Sequence, residues 1–185
     1  MDRRIALIGS GNAFFKDEGI GLYAAKYLKE NYDFSPEISI VDGGTLGFKL
    51  MPLLMEHDAV VIVNTGSEEG YSAGAITVKE SEAFLEGTLI KKTANEVEIA
   101  EMLQICSMAD HMAKTVLVSI VPEDIITVEV GLTETLVAAW PDYIEAVLDV
   151  LKQFGVTAQR RSQSVSLETI LHAFAYPSIE HGRGF

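Results

Sequence analysis

RIALIGSGNAFFKDEGIGLYAAKYLKEN, residues 4–31, decides the reading of the fold. Residues 4–9 carry a short apolar run and read as a buried strand. Glycine and asparagine then break the pattern into a loop. From residue 19 to 31, Ile20, Tyr23, Ala24, Tyr27 and Leu28 recur at helical spacing. Strand, loop and helix in this order form the repeating unit of a parallel sheet.

Outward from that unit the same alternation continues. Pro36 interrupts the chain, and residues 38–42 alternate as a second strand. Residues 46–57 are apolar at Leu50, Leu53 and Leu54 and read as a helix with Pro52 early in it. Residues 59–64 form a third strand, buried on both faces because Val60, Val61, Ile62 and Val63 are consecutive. An edge strand is expected at 75–79. A helix is expected over 95–112, with Val97, Ile99, Ala100, Leu103 and Met108 toward the core. Another strand follows at 114–121, and residues 125–130 read as short and irregular. The last long helix covers 133–154, with Gly155 suited to its C-terminal cap. Pro141 kinks it or divides it in two. The expected fold class is therefore α/β, a mainly parallel sheet covered by helices.

No repeat or linker divides the chain, and 185 residues suit one domain. The tail after Val156 differs in character. Arg160-Arg161-Ser162 is basic and polar, residues 165–175 suit a helix, and His181-Gly182-Arg183-Gly184 reads as loose. We divide the chain into a domain at 1–156 and a tail at 157–185, helical in part, which is expected to be a lid or docking segment or else partly disordered.

Composition narrows the function. A hydrophobic fraction of 48% suffices for a full core. The longest apolar runs, 59–63 and 116–121, fall far short of the roughly 20 residues that span a bilayer. The N-terminal residues lack the pattern of a signal peptide. The expectation is a cytoplasmic protein with no membrane partner. With 27 acids against 14 bases, the formal charge is −13, which disfavours nucleic acid and favours a cation or a basic peptide. Cys106 is the only cysteine and excludes an internal disulfide; Leu103, Ile105 and Met108 around it suggest a buried, inert thiol.

The loop at 9–19 first suggests a dinucleotide fold, since Gly9-Ser10-Gly11 follows a strand and Asp42 ends the next one. Phe14 then occupies the third glycine position. Asp17 and Glu18 stand where a pyrophosphate would sit and would repel it. As carboxylates at a strand's C-terminal end, they suit a cation or a basic peptide, or else serve to cap the helix. Conventional hydrolase signatures are absent. No Gly-x-Ser-x-Gly, His-Glu-x-x-His or metal-spaced cysteine pair occurs, and Ser67 and Ser72 have no identifiable base.

GSGNAFFKDEGIG (residues 9–21) resembles the opening motif of the hydrogenase maturation proteases, the endopeptidases that trim the large subunit of nickel–iron hydrogenases. VDGGTLG (41–47), VSIVPEDI (118–125) and VGLTETL (130–136) are similar to further motifs of that family, in the same order. The resemblance covers residues 4–156. It implies a three-layer αβα sandwich with a twisted, mainly parallel sheet. It implies an enzyme with no cofactor of its own, which recognises nickel carried by the large-subunit precursor. That enzyme reads the metal with a glutamate, an aspartate and a histidine, then removes the C-terminal extension. Carboxylate and imidazole suit divalent nickel, and a metal can polarise a carbonyl.

Carried over residue by residue, Glu18 matches the family's glutamate. Asn64 stands at the aspartate position and Asn95 at the histidine position. Both replacements weaken the same nickel site, because a neutral amide is the poorer ligand. Asp17, Glu68, Glu69, Glu96 and Glu98 are the nearby acids that could take over. The four histidines, His57, His111, His172 and His181, read as structural. Asp17 and Asp42-Gly43-Gly44-Thr45 are the expected substrate-binding residues. Two functions follow. One is an endopeptidase-type maturation factor acting on a nickel-bearing precursor. The other is a non-cleaving binding protein or assembly chaperone on the same fold. The oligomeric state is not legible.

Overall fold

The computed structural model describes residues 3–45, 47–87 and 93–177. Its centre is a five-stranded sheet built from β1 (Ile5–Ser10), β3 (Ser39–Gly44), β4 (Ala59–Thr65), β5 (Ile76–Glu80) and β6 (Lys114–Ile120). The spatial order is β3–β1–β4–β6–β5, and every neighbouring pair is parallel except β5 with β6. β5 is thus the edge strand expected at 75–79, and it runs antiparallel to β6.

Helices cover both faces, giving the three-layer αβα sandwich. The pleat alternates side chains between the layers. Ile5 and Leu7 of β1, with Val61 and Val63 of β4, pack against α1 (Ile20–Asn31) and α5 (Glu134–Gln153). Ala6, Ile8, Val60 and Ile62 face the opposite layer, α2 (Met51–Glu56), α3 (Ser81–Glu86) and α4 (Ala94–Ser107). Both faces of β1 and β4 are therefore dry, as their unbroken apolar runs require.

Several elements depart from the sequence expectations. The helix expected over 46–57 is a 3-10 turn, Gly47–Leu50, followed by the short α2; Leu46 lies outside the described residues. α4 ends at Ser107, five residues early. Its core stripe is Ile99, Ala100, Met102, Leu103 and Cys106, so Val97 (43% exposed) and Met108 (80% exposed) do not face the core as expected. α5 runs unbroken through Pro141, which sits on its exposed side, where water can serve the carbonyl that proline leaves free. Gly155 closes this helix at φ +84°, a value that glycine adopts without strain.

The structure adds a small antiparallel ribbon. β2 (Tyr32–Ser35) pairs with β7 (Thr157–Arg160), bringing the start of the tail back beside α1. α6 (Leu167–Ala175) follows and lays Ile170 into the α1–α5 core, while Phe174 meets Tyr23 edge-on at 5.0 Å. Asn31 holds the approach to α6 from both sides. Its Oδ1 accepts from the Val165 N–H at 2.6 Å, and its Nδ2 donates to the Val165 carbonyl at 3.0 Å. The segment His181–Gly184 read as loose lies outside the described residues.

The connections fix where a ligand can bind. From β1 the chain passes through α1 on one face to β3, then through α2 on the other face to β4. The C-terminal ends of β1 and β4 flank the point where connections leave on opposite faces. Open α/β sheets bind ligands at such a switch point.

Candidate functional site

The loop after β1 brings its two acids to this switch point and gives them different partners. Asp17 turns inward and is fully buried. Its Oδ2 accepts from the backbone N–H groups of Glu123 and Asp124, both at 3.0 Å. Its Oδ1 accepts from the Thr133 N–H at 2.8 Å, and the Thr133 hydroxyl donates to Oδ2 at 2.9 Å. Asp17 thereby ties the opening loop to the turn at 121–124 and to the start of α5. Asp17 is expected to bind substrate, and in the structure its oxygens are engaged by the chain itself.

Glu18 points the other way, into a cleft of about 570 Å³ that it shares with Asn95, Phe15, Phe48 and Val97. It is only 8% exposed, and the Thr65 hydroxyl donates to its Oε1 at 2.6 Å. Burial pushes its carboxyl above the ordinary value. The Thr65 hydrogen bond pulls it back in part, and the nearby Glu96 charge pushes it up again. The rim is apolar and its floor is acidic, an arrangement suited to gripping a peptide while presenting one polar group.

Asn64 and Asn95 come to this end of the sheet from different elements, β4 and α4. Asn95, at the start of α4, lines the cleft, and its Nδ2 donates to Ser10 Oγ at 2.8 Å. Asn64 is fully buried in β4 and does not line the cleft. Its Oδ1 accepts from Ser119 Oγ at 2.6 Å, and its carbonyl accepts from the Tyr143 hydroxyl at 3.0 Å. Among the described residues no group of three or more His, Cys, Asp or Glu side chains could hold a metal.

The other candidates separate as well. Among the neighbouring acids, Glu96 is buried beside Glu18 and accepts a short hydrogen bond from the Ser67 N–H. Glu98 lines the cleft and accepts from the Gly47 N–H at 3.1 Å. Glu68 instead pairs with Lys79 at 2.7 Å, and Glu69 is exposed. His57 bonds the Leu53 carbonyl of α2 and His111 bonds the His57 carbonyl just before β4, at the far end of the sheet. His172 lies on α6 against Tyr176. His181 lies outside the described residues. Cys106 is buried in the α4 layer, where desolvation pushes its thiol up and leaves it inert.

Asp42, Gly43 and Gly44 end β3, the outer strand of the sheet, and Thr45 follows it. Asp42 Oδ1 accepts from the Gly44 N–H at 2.9 Å, and Gly44 turns at φ +53°. Burial raises the Asp42 carboxyl, offset in part by the Gly44 N–H and by Lys26. Asp42, Gly44 and Thr45 line a second hollow of about 280 Å³, together with Phe14, Leu22 and Phe174. Ser10, Thr65 and Ser119 orient the site but carry no chemical signature in sequence. They come together only through strand register.

A family model described as hydrogenase maturation protease (HycI) matches residues 22–150. The chain is 27% identical over 170 residues to the hydrogenase expression/formation protein HupD of Rhizobium leguminosarum bv. viciae, covering 91% of this chain and 84% of that protein. It is 27% identical over 156 residues to the hydrogenase 2 maturation protease of Escherichia coli K12, covering 84% and 94%. Its fold is similar to that of the hydrogenase maturating endopeptidase HybD from E. coli, with a TM-score of 0.80 and 28% identity over 87% of this chain and 99% of that one. No helix among the described residues is long and apolar enough to cross a membrane. Since the family match runs from α1 into α5 and takes in every strand of the central sheet except β1, the chain belongs to the hydrogenase maturation protease family.

Proposed function

We propose that this chain is a cytoplasmic maturation factor of endopeptidase type. It takes the C-terminal region of a hydrogenase large-subunit precursor into the Glu18 cleft and removes the extension. The observation that carries this reading is the position of Glu18, a buried carboxyl oriented by Thr65 at the switch point, under the apolar rim of Phe15, Phe48 and Val97. Gly43, Gly44 and Thr45 support it. They close or follow an outer strand that pairs only with β1 among the described residues, so an extended peptide can align along its open side.

The precursor's nickel is the feature that such a factor is expected to read. The residues present fit that ion poorly. Glu18 and Asn95 offer oxygens, whereas the uncommitted atom of Asn64 is an N–H donor that opposes a cation. The same two amides favour a second reading, a non-cleaving chaperone that binds the precursor and holds it.

The test is to incubate the full chain with precursor, nickel-loaded and nickel-free, and to weigh the large subunit by mass spectrometry. A shortened subunit is the expected result. A stable complex without shortening would leave the chaperone reading. Neither binding nor shortening would remove both.

A further inference from the structure

Two side-chain atoms at the end of the sheet have no hydrogen-bond partner among the described residues, Nδ2 of Asn64 and Oδ1 of Asn95. Both residues are more than nine-tenths buried. Polar atoms in such surroundings normally find partners, because leaving them bare is costly. Here one is a donor and the other an acceptor.

The neighbours fix which atom is which. Ser119 Oγ lies 2.6 Å from Asn64 Oδ1, a length typical of O–H···O and short for N–H···O. Asn64 therefore keeps its NH2 group uncommitted. Asn95 Nδ2 donates to Ser10 Oγ, which passes its own proton on to the Gly44 carbonyl at 3.4 Å. As bonded in the structure, the open atom of Asn95 is its oxygen.

The two amides also lie close together. Ser10 and Asn64 follow the paired residues Gly9 and Val63 on adjacent strands, which run about 4.8 Å apart. By alternation from Ile8 and Ile62, both side chains face the α4 layer, where Asn95 sits bonded to Ser10. The nearby carboxylates are engaged, Glu18 by the Thr65 hydroxyl and Glu96 by the Ser67 N–H.

We infer that Asn64 and Asn95 hold one neutral group that accepts from the first and donates to the second, and that the precursor is therefore recognised in metal-free form. Water fills this role in the free chain, and a substrate amide fills it in the complex. The inference rests on the proposed function for its substrate, and on the two amides alone for its chemistry.

Three measurements test it. The first is calorimetric titration of the full chain with nickel chloride. Glu18→Gln should leave nickel affinity within about twofold of wild type, whereas Asn64→Asp with Asn95→His should raise it about tenfold or more. A tenfold loss in Glu18→Gln, or no gain in the double variant, would overturn the inference. The second compares precursor from nickel-starved and nickel-replete cells. Affinities within about twofold are expected, and a preference of about tenfold for the loaded form would overturn it. If neither precursor binds, the proposed function fails while the titration still judges the amides. The third is a crystal structure of the chain alone and in complex. Water within about 3 Å of both open atoms in the free chain, replaced by a substrate amide in the complex, is expected. An Asn64 amide turned with its oxygen toward Asn95 would overturn it.

Discussion

Asp17 and Glu18 are adjacent, equally charged and drawn from one loop, yet they do unlike work. Asp17 collects N–H donors from Glu123, Asp124 and Thr133 and joins three separate turns. Replacing it with alanine strands those part-buried donors, so Asp17→Ala should cost about 2 kcal/mol of stability, read as a lower urea midpoint. A loss within the noise of a surface substitution would contradict its role as a latch. For Glu18 the consequence is a pH dependence. Folded Glu18 holds its proton to higher pH than the ordinary value of 4.5, chiefly because it is buried. Its ionisation therefore opposes folding. That penalty is absent below the ordinary value and grows as pH rises through the folded value. Glu18→Gln keeps the oxygen that accepts from Thr65 and removes the penalty. The variant should melt higher than wild type at about pH 7, with the difference vanishing at about pH 3.5. A variant that melts lower at neutral pH would show that burial is not what governs this carboxyl. Sequence alone singled out both acids. It could not separate them, because their difference lies in partners more than a hundred positions away for Asp17 and forty-seven away for Glu18.

At the scale of elements, the opening unit depends on a close approach of α1 to the sheet. A Cβ on Gly21 would overlap the carbonyl oxygens of Val63 and Ser10, and one on Gly9 would come within 2.7 Å of the Ala25 methyl. These glycines let a helix backbone rest against strand backbones, the packing role that a phosphate-loop glycine also serves. Gly21→Ala should therefore destabilise by roughly 1–3 kcal/mol, toward the upper end because backbone rather than a flexible side chain must yield. Equilibrium denaturation measures this, and an unchanged midpoint would mean that α1 can shift outward freely. The strands of the central sheet were legible because runs such as Val60–Val61–Ile62–Val63 have no polar face to turn to water. The outer bounds of α4 were not. Val97 and Met108 are apolar but lie off the stripe that meets the sheet, and hydrophobicity does not report orientation. The ribbon of β2 with β7 also escaped, since four-residue strands with exposed faces carry little pattern.

On the scale of the whole molecule, the tail is fastened to the core at several points. Ile170 is 1% exposed within the α1–α5 layer, Phe174 packs on Tyr23, and Asn31 grips Val165. Ile170→Ala should cost about 3 kcal/mol and keep a single cooperative unfolding transition. A separate early transition would show that the tail unfolds by itself. Phe174 also lines the hollow beside Asp42 and Thr45, so the tail forms one wall of the candidate substrate path. By itself, the sequence determined the layered α/β class, the core strands and the placing of both acids in a loop after the first strand. Local periodicity and turn chemistry suffice for such features, because they are written in neighbouring residues. Only the tertiary structure decided that Asp17 is a latch and that Glu18 shares its cleft with Asn95. It alone turned an N–H of Asn64 and an oxygen of Asn95 toward open hydrogen-bonding positions. Those facts depend on strand order and register, which bring together side chains distant in the chain and fix which face of each group remains uncommitted.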